Sequence, residues 1–387
     1  MPPPHILWLT EHYPPNVGGM AQSCDRITHH LRLDGATIDV AHFCRPIDAT
    51  EIQIQMQQQG RYLLCPIPTN GHQGDFSPAH SINLLWNLLQ KDVSHYTHVV
   101  AFGGHLPLLA APIFAQWLGI PLLVLLRGND FDTAIFTPKK RDILMDALSR
   151  AAAICVVDQD KQWKVKALFP NTPVHWVANG IDGSQWMPVP SDHVKAKAWR
   201  ETAVGGGQRV LAMFGHIKQK KGGLFFLETL LDSGMLAHFH LLFVGDVEAP
   251  IMALLRRRVD AHAYSIFPFT DRYDLIPYYL ASDWVVIASY YDGMPNVMLE
   301  GCALGKPFLA SATAGMKDVL SEGVHGFLFH PGDKDSCRLA IHHAADCDAQ
   351  QLAQYGHATE QLAHGLLKHT RETLEYRQIF ADTEKCV

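Results

Sequence analysis

The sequence predicts an α/β protein made of two doubly wound units in tandem. Three observations carry that prediction. Short apolar runs alternate with helix-like stretches, the pattern of parallel strands covered by helices on both faces. The runs end in glycine-containing turns, such as Gly103-Gly104-His105 and Gly245-Asp246. The alternation breaks at a Pro/Ser stretch, Pro188 to Ser191, and then starts again. At 387 residues the chain has room for about two to three domains of ~150 residues.

Taken in order, Ile6-Leu7-Trp8-Leu9 is a buried strand, followed by a Pro/Gly loop (Pro14, Pro15, Gly18, Gly19) and a helix from near Gln22-Ser23. Thr37 to Phe43, His98 to Phe102 and Leu122 to Leu126 are further strands. Ala152 to Val157 is another, with a helix over Gln159 to Leu168 behind it. Gln-rich 53–59 reads as an exposed helix or loop. Val174 to Val177 leads into Asn179-Gly180-Ile181-Asp182, so the first domain spans 1–178. Beyond it, Arg209 to Phe214 is a strand, Gly215 to Gly223 a loop and Leu224 to Leu231 a helix. His240 to Val244, Trp284 to Ala288 and Pro307 to Ala310 are strands, with Tyr290 to Pro295 a loop and Asn296 to Leu304 a helix. Two such units predict a cleft at the carboxyl ends of both sheets.

Composition excludes several classes. Lys+Arg number 32 and Asp+Glu 38, a formal charge of −6, which excludes a globally basic nucleic-acid coat. With 48% hydrophobic and 18% charged residues the chain is globular rather than disordered. No apolar run reaches the ~18 residues needed to span a bilayer. Met1-Pro2-Pro3-Pro4-His5 lacks the charged and apolar regions of a signal peptide. Cys24, Cys44, Cys65, Cys155, Cys302, Cys337, Cys347 and Cys386 form no CxxC pair, which predicts free thiols in a reducing, cytoplasmic setting.

Three loops carry candidate chemistry. In Asp292-Gly293-Met294-Pro295-Asn296-Val297-Met298-Leu299-Glu300, two acids lie eight apart across a strand–loop–helix junction. A helix start offers backbone N–H groups and the positive dipole end to an anion, and Glu300, in the second helical turn, can accept from a vicinal diol such as a ribose. The same spacing fits Glu300 as a local cap and Asp292 as a turn residue. Gly215-His216-Ile217-Lys218-Gln219-Lys220-Lys221-Gly222-Gly223 follows a strand and suits a diphosphate, although a solvated basic loop has the same composition. Gly18-Gly19 lets a ligand approach the backbone, as does any Pro/Gly turn. Neither GxxxxGK[ST] nor GxGxxG is present.

Together these patterns resemble the GT-B fold, retaining glycosyltransferases of family 4 (glycosyl transferases group 1), from the first strand to about residue 335. Asp292 to Gly305 is similar to the family's E-G-x-P-N-x-x-L-E-A-x-A-x-G, Gly215 to Gly222 to G-R-L-x-x-x-K-G, Asn179 to Asp182 to N-G-V-D, and Val244-Gly245-Asp246 more loosely to V-G-x-G. The resemblance implies two Rossmann-like domains. Residues 1–178 would face the acceptor and 179–360 would bind the nucleotide sugar, with a helix in 361–387 crossing back to the first. It implies that Asp292 contacts the donor sugar, that Glu300 holds the ribose hydroxyls and that Lys221 holds the diphosphate. Gly18, Gly19, Gly215, His216, Lys218, Gly293, Met294, Pro295, Asn296 and Val297 would complete the donor site.

The chain departs from the family at three points. The first acid is Asp292 rather than Glu, one methylene shorter; the usual arginine is His216, with Lys218 or Lys220 as substitutes; and the usual H-G-x-D is Arg127-Gly128-Asn129-Asp130. Arg127 cannot act as a general base but can hold a phosphate or an acidic acceptor. His105 is a second candidate in that domain. The implied reaction moves a sugar from a UDP- or GDP-linked donor to a hydroxyl of a carbohydrate or lipid-linked acceptor in polysaccharide, glycolipid or other glycoconjugate synthesis, without metal, cofactor or nucleic acid. A catalytically silent nucleotide-sugar-binding protein and a nucleotide-sugar epimerase remain as alternatives. Pro138-Lys139-Lys140-Arg141-Asp142-Ile143-Leu144-Met145, basic then apolar, reads as a solvated helix or as a contact with the inner face of the membrane.

Overall fold

The computed structural model describes residues 3–45, 51–67, 78–91, 95–128 and 130–385. They form two compact units, Met1–Asn179 with Thr370–Val387, and Gly180–His369. The first is built on β1 (His5–Thr10), β2 (Thr37–Cys44), β3 (Gln53–Gln57), β4 (Gly60–Pro66), β5 (His98–Phe102), β6 (Leu122–Leu126), β7 (Ala153–Val156) and β8 (Val174–Trp176). Their spatial order is β3-β4-β2-β1-β5-β6-β7-β8, and all pair parallel except β3 with β4. The connections run through α1 (Gly19–Leu33), α2 (Pro78–Lys91), α3 (His105–Leu118), α4 (Asp130–Ala134), α5 (Pro138–Ser149) and α6 (Gln159–Leu168).

Helices cover both faces of this sheet, which is why β6, Leu-Leu-Val-Leu-Leu, is buried at every position. On one face Leu85, Phe114, Leu144 and Val165, from α2, α3, α5 and α6, share a core with Leu7, Val99 and Val124. On the other, Ile27 and Leu31 of α1 pack with Ile6, Trp8 and Val100. One expectation is corrected here. Gln-rich 53–59 is neither helix nor loop: Gln53–Gln57 pairs antiparallel with β4 as an edge strand. The alternation of Ile52, Ile54 and Met56 with glutamines is the period of a strand, and the polar residues suit an exposed edge. The apolar side of Pro138 to Met145 is already used, since Leu144 is buried in the core with Ile143 packed against it. That leaves Lys139, Lys140 and Arg141 as a solvated face.

The second unit repeats the plan with α7 (Pro190–Ala203), β9 (Arg209–Ile217), α8 (Gly223–Ser233), β10 (Phe239–Val247), α9 (Ala249–Arg258), β11 (Tyr264–Phe267), α10 (Arg272–Ala281), β12 (Trp284–Ile287) and α11 (Asn296–Ala303). It ends with β13 (Phe308–Ser311), α12 (Ala314–Lys317), β14 (Gly326–Phe329), α13 (Lys334–Asp346) and α14 (Ala349–His364). The strands are all parallel in the order β11-β10-β9-β12-β13-β14. Chain direction across the sheet therefore reverses between β9 and β12, and in open α/β sheets ligands bind outside the carboxyl ends at such a switch point.

The final segment is not one helix. Gly365 closes α14, its N–H donating to Gln361 O and Leu362 O, and α15 (His369–Glu384) starts anew. Tyr376, Ile379 and Phe380 of α15 enter the core of the first unit beside Trp8 and Val177. The chain returns to that unit at Thr370, beyond the position 361 expected from sequence. Among the described residues, no helix is long and apolar enough to cross a membrane.

Candidate functional site

The loops after β9 and β12 form the switch point of the second sheet. β9 is longer than its apolar run suggests, because Gly215, His216 and Ile217 continue the ladder against Gly245, Asp246 and Val247. Glycine makes this possible: Gly245 has φ +134° and a Cβ there would lie 2.1 Å from Gly215 O. The true loop is therefore Lys218 to Gly222, with Gln219–Lys221 as one 3-10 turn. Gly222, at φ +72°, sits so close to the end of β12 that a Cβ would meet Ala288 O at 1.8 Å. That contact locks the two loops together.

Lys221 and Asp292 meet across this lock. Lys221 Nζ donates to Asp292 Oδ2 at 2.6 Å, and Ser289 Oγ donates to the same oxygen at 3.3 Å. The Asp292 backbone is held from just beyond β13, with Thr313 Oγ1 donating to its carbonyl at 3.2 Å. α12 closes on Gly293, where a Cβ on Gly315 would stand 2.0 Å from Gly293 O. Met294 is buried, Pro295 stands at the N-cap position of α11, and Asn296 and Val297 form its first turn, at the positive end of the helix dipole.

Glu300 follows one turn later. Its Oε2 accepts from Tyr279 OH at 2.7 Å. Burial pushes its carboxyl up to about 7, the tyrosine hydrogen bond acting in the opposite direction. The Tyr279 ring stacks on Phe214, centroids 3.8 Å apart, and Phe214 immediately precedes Gly215. His216 is half-exposed, its ring edge-on to Phe269 and its Nδ1 3.5 Å from Asp246 Oδ2. Lys218 supports the loop through its carbonyl, which accepts from Lys221 N and Gly223 N.

The candidates of the first unit divide. Gly18 and Gly19 open α1, Gly18 at φ +134° as its N-cap, in the loop after β1. His105 opens α3 after the neighbouring β5, and its backbone N–H donates to Glu11 Oε2 at 2.6 Å. Arg127 is a correction: its side chain is buried inside the unit. It donates to Glu372 Oε1 at 3.0 Å, Tyr376 OH at 2.7 Å and Val177 O at 3.2 Å, and also to Asn179 Oδ1. Arg26 grips the same Glu372 at 3.1 Å. An arginine neutralised this way ties α15 to the sheet and is not presented to a phosphate. Asn129 of the same tetrapeptide lies outside the described residues.

Sequence reasoning missed Tyr279, Ser289, Thr313 and Gly315, which hold the acids in place. Tyr279 sits in an apolar helix where it reads as core. A hollow of about 510 Å³ lies away from this junction, at the amino ends of β10 and β11 beside His240, and one of about 470 Å³ borders it, between Lys220, Leu224, Tyr290 and Lys334.

Residues 208–346 match the family model of glycosyl transferases group 1. The chain is 24% identical to the UDP-Gal:alpha-D-GlcNAc-diphosphoundecaprenol alpha-1,3-galactosyltransferase of Escherichia coli, over 69% of this chain and 70% of that one. It is 23% identical to the putative teichuronic acid biosynthesis glycosyltransferase TuaC of Bacillus subtilis over 65% of this chain, spanning 61% of that protein. It is 21% identical to a GDP-mannose-dependent alpha-mannosyltransferase of Corynebacterium glutamicum, over 97% of this chain and 91% of the other. The fold matches sucrose-phosphate synthase from Thermosynechococcus elongatus, with TM-score 0.79 and 16% identity over 98% of this chain and 100% of that one. It also matches Anabaena HepE in complex with UDP, with TM-score 0.75 and 17% identity over 97% and 99%.

Proposed function

We propose, for a chain whose residues 208–346 form a group 1 glycosyl transferase domain within a GT-B fold, that it moves a sugar from a UDP- or GDP-linked donor to an acceptor hydroxyl with retention at the anomeric carbon. We place it with family 4, in cytoplasmic glycoconjugate synthesis on a carbohydrate or lipid-linked acceptor. The observation that carries the reading is the junction after β9 and β12, where Lys221 Nζ lies 2.6 Å from Asp292 Oδ2 and Glu300 opens from the same loop–helix element. The donors in the names of two relatives, UDP-Gal and GDP-mannose, support a nucleotide sugar.

Each group then has one task. Lys221, with Lys218 and the first-turn amides of α11, takes the negative charge that grows on the departing diphosphate, a type of electrostatic stabilisation that contributes a few kcal/mol per donor. Asp292 accepts from hydroxyls of the donor sugar, sharing Lys221 with the phosphate. Glu300, once ionised, accepts from the ribose diol. The acceptor oxygen attacks the face from which the diphosphate leaves, and a phosphate oxygen takes its proton. No metal is assigned, because the charge is met by these cations and amides. Incubation with labelled UDP- and GDP-sugars and candidate acceptors tests the reading. Transfer with an unchanged anomeric configuration supports it; inversion overturns the retaining assignment.

A second reading, a silent nucleotide-sugar-binding protein, is favoured by one observation: Arg127 stands in place of the family's histidine, and its guanidinium is spent on Glu372. Saturable donor binding with no turnover across acceptors selects it.

A further inference from the structure

Tyr279 is fully buried in the second unit, and its ring has little freedom. Phe214 stacks on it with planes 14° apart, and Trp186 meets it edge-on at 6.1 Å. A ring held from two sides sends its hydroxyl in one direction, to Glu300 Oε2. We infer that Tyr279 is a positioning residue that fixes the Glu300 carboxylate, occupying Oε2 and leaving Oε1 to present to a ribose diol. This rests on the donor reading of Glu300 given above.

A glutamate carboxylate that is fixed before the ligand arrives loses less side-chain entropy on binding. And a phenol that donates to a carboxylate favours the charged, accepting form, against the burial that disfavours it. The surroundings leave this task to Tyr279. β9 and the turn carrying Trp186 bring uncharged rings to the far side of the phenol. The adjoining residues of α11, Met298 and Leu299, are buried and apolar. α14 brings Glu360 beside Gly305, beyond the end of α11, and Lys221 is paired with Asp292. The same stack reaches Phe214 within β9, so one aromatic pair orients the ribose acid and packs on the strand that leads to the diphosphate loop.

Tyr279→Phe keeps the ring and the stack and removes only the donor. Calorimetric titration of the full chain with UDP, and with GDP, across pH gives the test. Binding of Tyr279→Phe is expected to weaken roughly tenfold at neutral pH. Its acid limb moves to higher pH, and affinity recovers at alkaline pH with thermal stability retained. A merely structural tyrosine would not move the limb. Glu300→Gln separates the two levels of the argument. If Glu300→Gln loses affinity while Tyr279→Phe keeps the native pH profile, the positioning role is overturned and the donor reading stands. If Glu300→Gln binds as tightly as the native chain, the donor reading fails and the positioning role falls with it.

Discussion

Lys221 and Asp292, 71 positions apart, are joined Nζ to Oδ2 at 2.6 Å across the ends of β9 and β12. The pair is half-exposed on the lysine side and mostly covered on the aspartate side, so its value for stability is small. It holds a cation and a carboxylate at fixed places where two loops converge.

Lys221→Ala is expected to weaken a nucleoside diphosphate far more than the nucleoside. Loss of a charge-assisted contact costs about 1.5–3 kcal/mol, roughly ten- to hundredfold in Kd. Calorimetry with UDP and uridine, or GDP and guanosine, checks this; equal losses for both remove Lys221 from the diphosphate.

The raised Glu300 carboxyl gives opposite pH slopes for binding and stability. The usual value is 4.5 and burial places it at about 7. Between these values the unfolded chain has released its proton and the folded chain keeps it, so the contribution of Glu300 to stability falls as pH rises through that window. Nucleotide affinity rises over the same window, since only the ionised form accepts both ribose hydroxyls. Melting and titration series from pH 5 to 8 check both slopes, and Glu300→Gln should flatten each.

Glu372→Ala leaves Arg127 buried without its carboxylate and frees Arg26 from the same partner. The expected loss is about 3–5 kcal/mol, the cost of breaking a buried ion pair from one side. Denaturant unfolding measures it. A loss under about 1 kcal/mol would mean that the cluster does little to anchor α15.

Gly315→Ala places a methyl 2.0 Å from Gly293 O, so the loop bearing Asp292 must move. Overpacking of this kind costs about 1–3 kcal/mol. Nucleotide affinity should fall with it, measured by titration alongside the melt, whereas Gly206→Ala, in open space, should change neither.

Much of the second unit could be read along the chain, because parallel strands buried on both faces are short apolar runs, as at Trp284–Ile287 and Phe308–Ser311. Asp292, Glu300 and Lys221 were legible for a related reason: a motif fixes residue types and spacing at a strand end. The partners that orient them were not. Tyr279 meets Glu300 from another helix, and Thr313 reaches Asp292 from beyond the next strand, contacts that no local pattern encodes. Arg127 misled because its tetrapeptide sits at a loop where function is expected. Its partner Glu372 is 245 residues away, and only the folded first unit brings them together. The edge strand at Gln53–Gln57 was hidden by composition, glutamine masking a plain alternation.

Titration of the native chain and Glu300→Ala with UDP and GDP at pH 8 tests the nucleotide seat itself. Saturable binding of one of them to the native chain, lost in the variant, is expected. Equal affinity in the two proteins would contradict a nucleotide seat at the β9–β12 junction.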